Sequence, residues 1–369
     1  MTNQSQEGND ELSALGNRTA ERSLMKTIRT GGGVVRPRAV FYACVREVRM
    51  LDMIEFYRQD IAALEEIGYE VTRTTTLWAA CRAPGDILYG WWWHRSVLAA
   101  LVWRLRRRPV VLTGATGLFE SMEEGFFRHS VKLLLTALAV RFASDNIAIS
   151  DVEAKVLSRL RAPRVDKICL SVDTGFFRPG PKDPAPTGIV VAQLFPRNIR
   201  RKGIDTAVRA ALVIRESVPD FRLLVAGPST ADGRAVIDAL RVCGDASGVV
   251  LLGEVSRERK RALLAQAWFI VQPSIYEAFG LAVLEGMASG TVPVCSPAGG
   301  LAEVVGGVGP LVGPEDPGAV ARAVLALVAD AGRRKELSAA AREASLAFAC
   351  PRRVERLAML LDRARAGRG

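Results

Sequence analysis

A chain of 369 residues that is 49% hydrophobic and 24% charged is too apolar to be disordered and longer than one core usually supports, so two globular domains are expected. Lys and Arg number 50 against 39 Asp and Glu, and the resulting net charge of +11 favours an anionic ligand or surface. Two histidines and six cysteines (44, 81, 169, 243, 295, 350) with no Cys-x-x-Cys pair argue against a His/Cys metal cluster and for reduced thiols in a cytoplasmic protein.

Residues 1–37 are polar and Gly-rich and read as a loose tail without a signal peptide. A first domain is expected over 38–178. AVFYACV (39–45) reads as a strand, MIEFYRQDIAALEEIGYEV as an amphipathic helix stopped by Gly68 and followed by a strand into Thr74. DILYGWWW (86–93), RRPVVLTG and DNIAIS (145–150) supply three more strands, with helical segments between most of them. The apolar run Val97–Trp103 ends in RLRRRP (104–109), which either complements a helix dipole or meets anionic lipid. A second basic amphipathic segment covers 126–141. Charges, Gly or Pro break every apolar stretch before spanning length, so any membrane attachment is expected to be peripheral.

FFRPGPKDPAPTG (176–188) interrupts the alternation with four prolines and two glycines, and 179–188 is assigned as a linker. A second domain, 189–345, restarts it with strands at GIVVAQL, FRLLVAG, VVLLG, WFIVQPS and TVPVCSP, and GPLVG as a sixth candidate. Residues 346–369 are expected to form a helix that returns to the first domain. The predicted class is α/β, with two Rossmann-like, doubly wound parallel sheets facing across a cleft where ligands bind at the carboxyl strand ends.

The chemistry concentrates in SIYEAFGLAVLEGMASGTVPV (274–294). A strand ends at Pro273-Ser274, and a helix begins near Gly280 or Leu281 and stops at Gly290. Its first amides lack acceptors within the helix and form an anion site, which Gly280 lets a phosphate approach closely. Glu277 before the helix and Glu285 on it suit vicinal diols of a sugar and a ribose. After the domain's first strand, Arg197, Arg200, Arg201 and Lys202 crowd a predicted loop before another helix, where cations can hold a pyrophosphate and stabilise it as a leaving group.

These features resemble the family 4 glycosyltransferases of the GT-B fold. Their Glu-x7-Glu signature is matched by Glu277 and Glu285 within PSIYEAFGLAVLEGMASGTVPV, followed by GGLAEVV (299–305), with SVDTGFFRP (171–179) and LLGEVSRERKRALLAQA as further similar stretches. The likeness covers roughly 165–325 well and the first half only in layout. It implies that Glu277 contacts the hydroxyls of a donor sugar and Glu285 the ribose of a nucleotide. Phe279, Gly280 and Leu281 would give backbone contacts to sugar and diphosphate. Lys202 and Arg197 would neutralise the departing diphosphate, and Gly253 to Val255 would lie near the base. It further implies transfer with retention and no metal or other cofactor. The acceptor expected is a glycan or a lipid-linked glycan of the cell envelope, at the cytoplasmic face of an anionic membrane. No nucleic-acid module is apparent.

The first half departs from the family. VVLTGATGLFE lacks the histidine that many members carry after the fourth strand, and CVREVRM stands in place of a Gly-rich loop. Thr113, Gly114 and Thr116 occupy the region, and His94 follows the third strand; these are the acceptor-side candidates. Tryptophans 91–93 either line a sugar-binding wall or fill the core. Two other readings stay open: a glycoside hydrolase using Glu277 and Glu285 as its acid/base pair, and a catalytically inactive nucleotide-binding or membrane-docking subunit.

Overall fold

The structure, a computed structural model, describes residues 36–117, 125–242 and 248–366. Cys243 and all but the last two residues of the expected N-terminal tail lie outside the described residues.

Six strands form the first sheet: β1 (Arg38–Tyr42), β2 (Glu70–Thr74), β3 (Ile87–Trp91), β4 (Val110–Gly114), β5 (Asp145–Ala148) and β6 (Val165–Lys167). They are parallel, in the order β2-β1-β3-β4-β5-β6. Five form the second: β7 (Thr187–Val191), β8 (Arg222–Ala226), β9 (Val249–Gly253), β10 (Phe269–Gln272) and β11 (Val292–Cys295), parallel in the order β11-β10-β7-β8-β9. The expected pair of doubly wound sheets is therefore present. β3, β4, β5 and β10 are buried at every position, as continuous apolar runs in a helix-covered parallel sheet should be. β6, Val-Asp-Lys, is an edge strand too short and polar to stand out in the sequence. GPLVG contributes only one bridge, Leu311 to Cys295, and forms no strand.

In each sheet the winding reverses next to the first strand of that half. The first sheet splits between β1 and β3 and the second between β7 and β10, so each crevice opens at those carboxyl ends. An apolar cluster runs from Tyr89 and Trp91 through Ile168, Val172 and Phe177 to Leu284 and Met287, joining the two halves. Among the described residues, no helix is long and apolar enough to cross a membrane.

The last helix, Cys350–Ala366, packs against the helix Glu55–Glu66 of the first half. Its anchor is Arg353, 3% exposed, whose guanidinium lies 2.7 Å from Oδ1 of the fully buried Asp60. Asp60 Oδ2 also accepts hydrogen bonds from Tyr89 Oη (2.8 Å) and Trp91 Nε1 (3.0 Å), while Arg353 Nη1 donates to the carbonyls of Ile168 and Cys169. A buried pair is tolerated only when its remaining lone pairs and protons find such partners. Arg353→Leu should strand the Asp60 charge and lower the unfolding free energy by about 3–5 kcal/mol. Adding Asp60→Leu should recover much of that loss, and urea unfolding of the three variants checks both.

Candidate active site

The stretch after β10 folds as its glycines require. Gly280 (φ +106°, ψ +42°) precedes the helix Leu281–Ala288, and the first internal bond runs from Leu284 N–H to Gly280 O at 3.0 Å. The preceding amides are the orphans of any helix start. At the other end Gly290 (φ +69°) donates to Met287 O and Thr291 to Gly286 O, both at 2.9 Å, a Schellman closure.

The basic stretch after β7 is not the expected loop. Pro196–Arg201 is a short helix, started by Pro196, whose ring sets a helical φ at a position that needs no N–H. It ends against the loop after β10. Ile275 N–H donates to Arg201 O (2.8 Å), Arg201 Nη1 to Tyr276 O (3.2 Å), and a Cβ on Gly203 would fall 2.2 Å from Pro273 O.

That contact brings Lys202 to Glu277. Lys202 Nζ lies 2.9 Å from Glu277 Oε2, with side chains 16% and 12% exposed, and Gln272 Nε2 donates to the same oxygen at 2.9 Å. Burial alone would raise the Glu277 pKa. The charges of Lys202 and Arg201, with hydrogen bonds from Lys202 and Gln272, outweigh it and hold the carboxyl below its ordinary value. Arg201 joins Lys202 in acting on Glu277. Arg197 lies half-buried in the first turn of its helix.

Glu285, 2% exposed, lies 2.7 Å from Lys260 Nζ on the helix Arg257–Gln266. Burial pushes its carboxyl above the ordinary value, the Glu55 charge adds to this, and Lys260 offsets only part. Gly253 (φ +66°), which ends β9, and Val255, in the turn leading into that helix, are half-buried. Phe279 is buried edge-on against Phe348 at 5.8 Å, so its ring serves packing; Leu281 is half-buried beside Gly280.

The first half meets this loop through a residue the sequence reading did not single out. Glu153, fully buried on the helix Asp151–Arg159, accepts from Thr116 N–H at Oε2 and from Tyr276 Oη at Oε1, both at 2.9 Å. A second carboxylate crosses the other way: Glu303 accepts from Asp151 N–H (2.9 Å) and lies 2.7 Å from Lys167 Nζ. A third contact sets Arg257 Nε 3.2 Å from Glu55 Oε2 and its guanidinium 3.6 Å above the Phe176 ring. Nothing in local periodicity marks these pairs.

Thr113 is fully buried within β4 and its hydroxyl faces Ile147 O at 3.4 Å, so it serves the sheet. At Gly114 (φ +123°) an added Cβ would fall 3.1 Å from the Trp91 ring, a tight contact on a backbone that disfavours side chains. His94 is half-buried in the first turn of the helix Trp93–Leu105. Trp91 and Trp93 fill the core. Trp92 is half-buried at the β1/β3 crevice with a left-handed backbone (φ 69°), and its Nε1 donates to Tyr57 Oη at 2.5 Å. Among the described residues, no group of three His, Cys, Asp or Glu side chains could hold a metal ion.

A family model described as "Glycosyl transferases group 1" matches residues 185–330. D-inositol 3-phosphate glycosyltransferase 1 of Catenulispora acidiphila is 31% identical over 316 residues, 78% of this chain and 75% of that protein. The lipopolysaccharide core biosynthesis mannosyltransferase LpcC of Rhizobium leguminosarum is 30% identical over 273 residues, 66% of this chain and 72% of that protein. In fold, the chain is similar to sucrose-phosphate synthase of Thermosynechococcus elongatus, with a TM-score of 0.73 at 20% identity over 90% of this chain and all of that one. Anabaena HepE in complex with UDP-glucose gives 0.70 at 20% identity over 88% and 99%.

Two outcomes are expected. Glu153→Gln and Tyr276→Phe should each raise KM for the substrate of this cleft more than they lower kcat, and the double variant should cost less than the sum, because both remove one interaction. Additive losses in a double-mutant cycle would show that the contact does not couple the halves. The other concerns pH. Burial alone would raise the Glu55 pKa, but Arg58, Arg257 and Gln59 hold it at about 2 against an ordinary 4.5. Its ionised form therefore stabilises fully above 4.5, and that contribution fades as pH falls toward 2. Glu55→Gln should lower stability at neutral pH and reduce the loss on acidification, as read by denaturant titrations at several pH values.

Proposed function

The chain belongs to the group 1 glycosyltransferases, GT-B proteins of the family 4 type, and we propose that it moves a sugar from a nucleotide-diphosphate sugar to an acceptor hydroxyl with retention of configuration. The observation that carries this reading is the Lys202–Glu277 pair set beside the open N-terminus of the helix Leu281–Ala288. There a cation and a helix dipole can meet a diphosphate while an adjacent carboxylate accepts sugar hydroxyls.

In the proposed reaction the bond from the anomeric carbon to the diphosphate oxygen breaks and negative charge grows on the leaving group, while the acceptor oxygen bonds to the anomeric carbon on the same face and its proton passes to the departing diphosphate oxygen. Lys202, Arg197, Arg201 and the first amides of the helix would stabilise that charge without a metal ion. Glu277, kept ionised by its cations, is suited to accept hydroxyl donors and poorly suited to be the general acid of a hydrolase. Glu285 is a buried carboxylate whose charge is only partly compensated, and ribose hydroxyls would add the missing donors. Phe279, Gly280 and Leu281 would contribute backbone contacts, and Gly253 and Val255 would border the base. His94, Gly114 and Thr116 remain the proposed acceptor side. A relative named for lipopolysaccharide core biosynthesis supports an envelope glycan product, a relative named for D-inositol 3-phosphate supports a hydroxyl acceptor, and the HepE complex with UDP-glucose supports a nucleotide sugar donor.

The test is thermal stability of the purified chain with UDP, GDP, ADP and their sugar conjugates. Ligand at a hundred times its Kd adds about 2.7 kcal/mol to the species that binds it. One nucleotide family should stabilise the chain and thereby identify the base; no shift with any nucleotide would overturn the reading. Lys202→Ala should lower kcat by about 10²–10³. Because that change also strips Glu277 of its partner, Lys202→Ala should be compared with Lys202→Ala/Glu277→Gln. A near-normal kcat in either would remove Lys202 from the mechanism.

A further inference from the structure

Five of the six tryptophans are accounted for within the chain. Trp91, Trp93 and Trp103 are fully buried. Trp78 and Trp268 each lie under a guanidinium, with Arg82 at 4.4 Å and Arg334 at 3.8 Å from the ring centroid. Trp92 differs. It is half-buried, and its ring neighbours Trp91 (5.8 Å, 58°) and Phe56 (6.2 Å, 81°) are inclined to it. Among the described residues, no stacked ring and no cation lies on its face.

The backbone of Trp92 is strained and firmly held. Its φ of 69° and ψ of 96° disfavour a side chain, and a glycine would adopt them at no cost. Trp92 N–H donates to Thr113 O (3.0 Å), and Trp92 O accepts from the amides of Arg95 (3.0 Å) and Ser96 (3.1 Å). Ser96 Oγ donates to Trp91 O at 3.0 Å. Strain persists where the surroundings over-determine it in this way, and it collects at ligand sites. The side chain is fixed as well: Nε1 donates to Oη of the buried Tyr57, which holds the indole by its edge in the β1/β3 crevice.

The same crevice supplies polar groups. Exposed Arg95 donates through Nη1 to Cys44 O, just past β1, at 3.2 Å, and its other N–H groups remain for a ligand. The place also communicates with the donor loop. Trp92 is bonded to β4 at Thr113, and Thr116 beyond that strand meets Glu153, which holds Tyr276 next to Glu277. An indole face is the negative side of the ring quadrupole and favours the weakly positive C–H groups on the face of a pyranose or a cyclitol. A planar guanidinium suits the hydroxyls at the rim of such a ring. An open-chain polyol has the same hydroxyls but no apolar face.

We propose that Trp92 and Arg95 form the acceptor subsite, the indole beneath the ring and the guanidinium at its rim, and that the acceptor is a cyclic polyol. That the bound ring is the acceptor rests on the function proposed above; the ring binding does not. The test is saturation-transfer difference NMR of the full chain with methyl α-D-glucopyranoside, methyl α-D-mannopyranoside, myo-inositol and sorbitol. A ring probe should receive saturation on its C–H groups, and sorbitol about fivefold less. The pyranosides and myo-inositol separate a sugar from a cyclitol. Trp92→Leu should abolish the ring signal, and Trp92→Phe, which keeps a flat face, should retain part of it. Arg95→Ala should weaken it about fivefold. The thermal shift with nucleotide, measured on every variant, reports fold and donor site independently. If Trp92→Leu loses that shift by misfolding, Trp92→Phe, Arg95→Ala and the wild-type contrast of ring with open chain decide. No saturation of any ring probe, sorbitol saturated as strongly as the rings, or a folded Trp92→Leu that binds like the wild type would overturn the proposal. A nucleotide shift without ring binding removes this subsite and leaves the donor reading. Ring binding without a nucleotide shift removes the donor reading and leaves the ring site in place.

Discussion

Pro273 O leaves no room for a side chain at position 203, and the site depends on that close approach. With glycine there, residues 201–203 lie flat against 273–276, joined by the Ile275 amide to Arg201 O and by the Arg201 guanidinium to Tyr276 O. Two loops that leave neighbouring parallel strands in opposite winding directions are thereby joined at their tips. Lys202 and Glu277 meet as a consequence, because each sits one or two residues from the contact. Gly299 presses on the same loop from the other side, where a Cβ would fall 2.1 Å from Glu277 O, and Gly300 N–H donates to that carbonyl at 2.8 Å. The carboxylate is thus fixed by backbone on two sides before any ligand is present, which is the condition for electrostatic preorganisation.

The two glutamates of the motif have opposite electrostatics although both are largely shielded from solvent, Glu285 fully and Glu277 partly, and both face a lysine. Glu277 has Lys202, the Arg201 charge and an amide donor, and its carboxyl is held low. Glu285 has Lys260 but also feels the Glu55 charge, and its carboxyl is pushed up. The first is ready as a fixed acceptor. The second is short of donors, a shortage that neutral hydroxyls can relieve without adding charge. Glu55 is itself committed to Arg58 and Arg257, so the strained carboxylate and the contact between the halves share one local field.

Each contact that joins the halves draws on a different structural device. Glu303 reaches the N-terminus of the helix Asp151–Arg159, Glu153 reaches Tyr276, Arg342 donates to the carbonyls of Thr174, Phe177 and Ala288, and Arg353 closes on Asp60. Glu153 ends beside the residue next to Glu277, so movement of one half against the other would be felt at the donor carboxylate through a single side chain. The helix Phe126–Phe142 packs in the same cluster as the helix that carries Glu153 and leaves Phe126, Phe127 and Leu134 exposed.

Much of this was legible in the chain. Ten of the eleven strands were legible, most of them as apolar runs because strands buried on both faces have no choice but to be apolar, and the polar β2 from its place after the helix stopped by Gly68. Gly280 and Gly290 gave the ends of the helix Leu281–Ala288, since both positions adopt positive φ. What local pattern could not give was partnership. Lys260 is 25 residues from Glu285, Tyr276 is 123 from Glu153, and Arg353 is 293 from Asp60. Whether a charged residue is solvated or buried against a carboxylate depends on which crossovers the chain takes between strands. Propensity and periodicity act over a few residues and do not record that. The sequence therefore determined the two sheets, the glycine-led start of the helix Leu281–Ala288 and the pair of glutamates, while only the tertiary structure decided which cations they meet, because ion pairs follow distance in space and not along the chain.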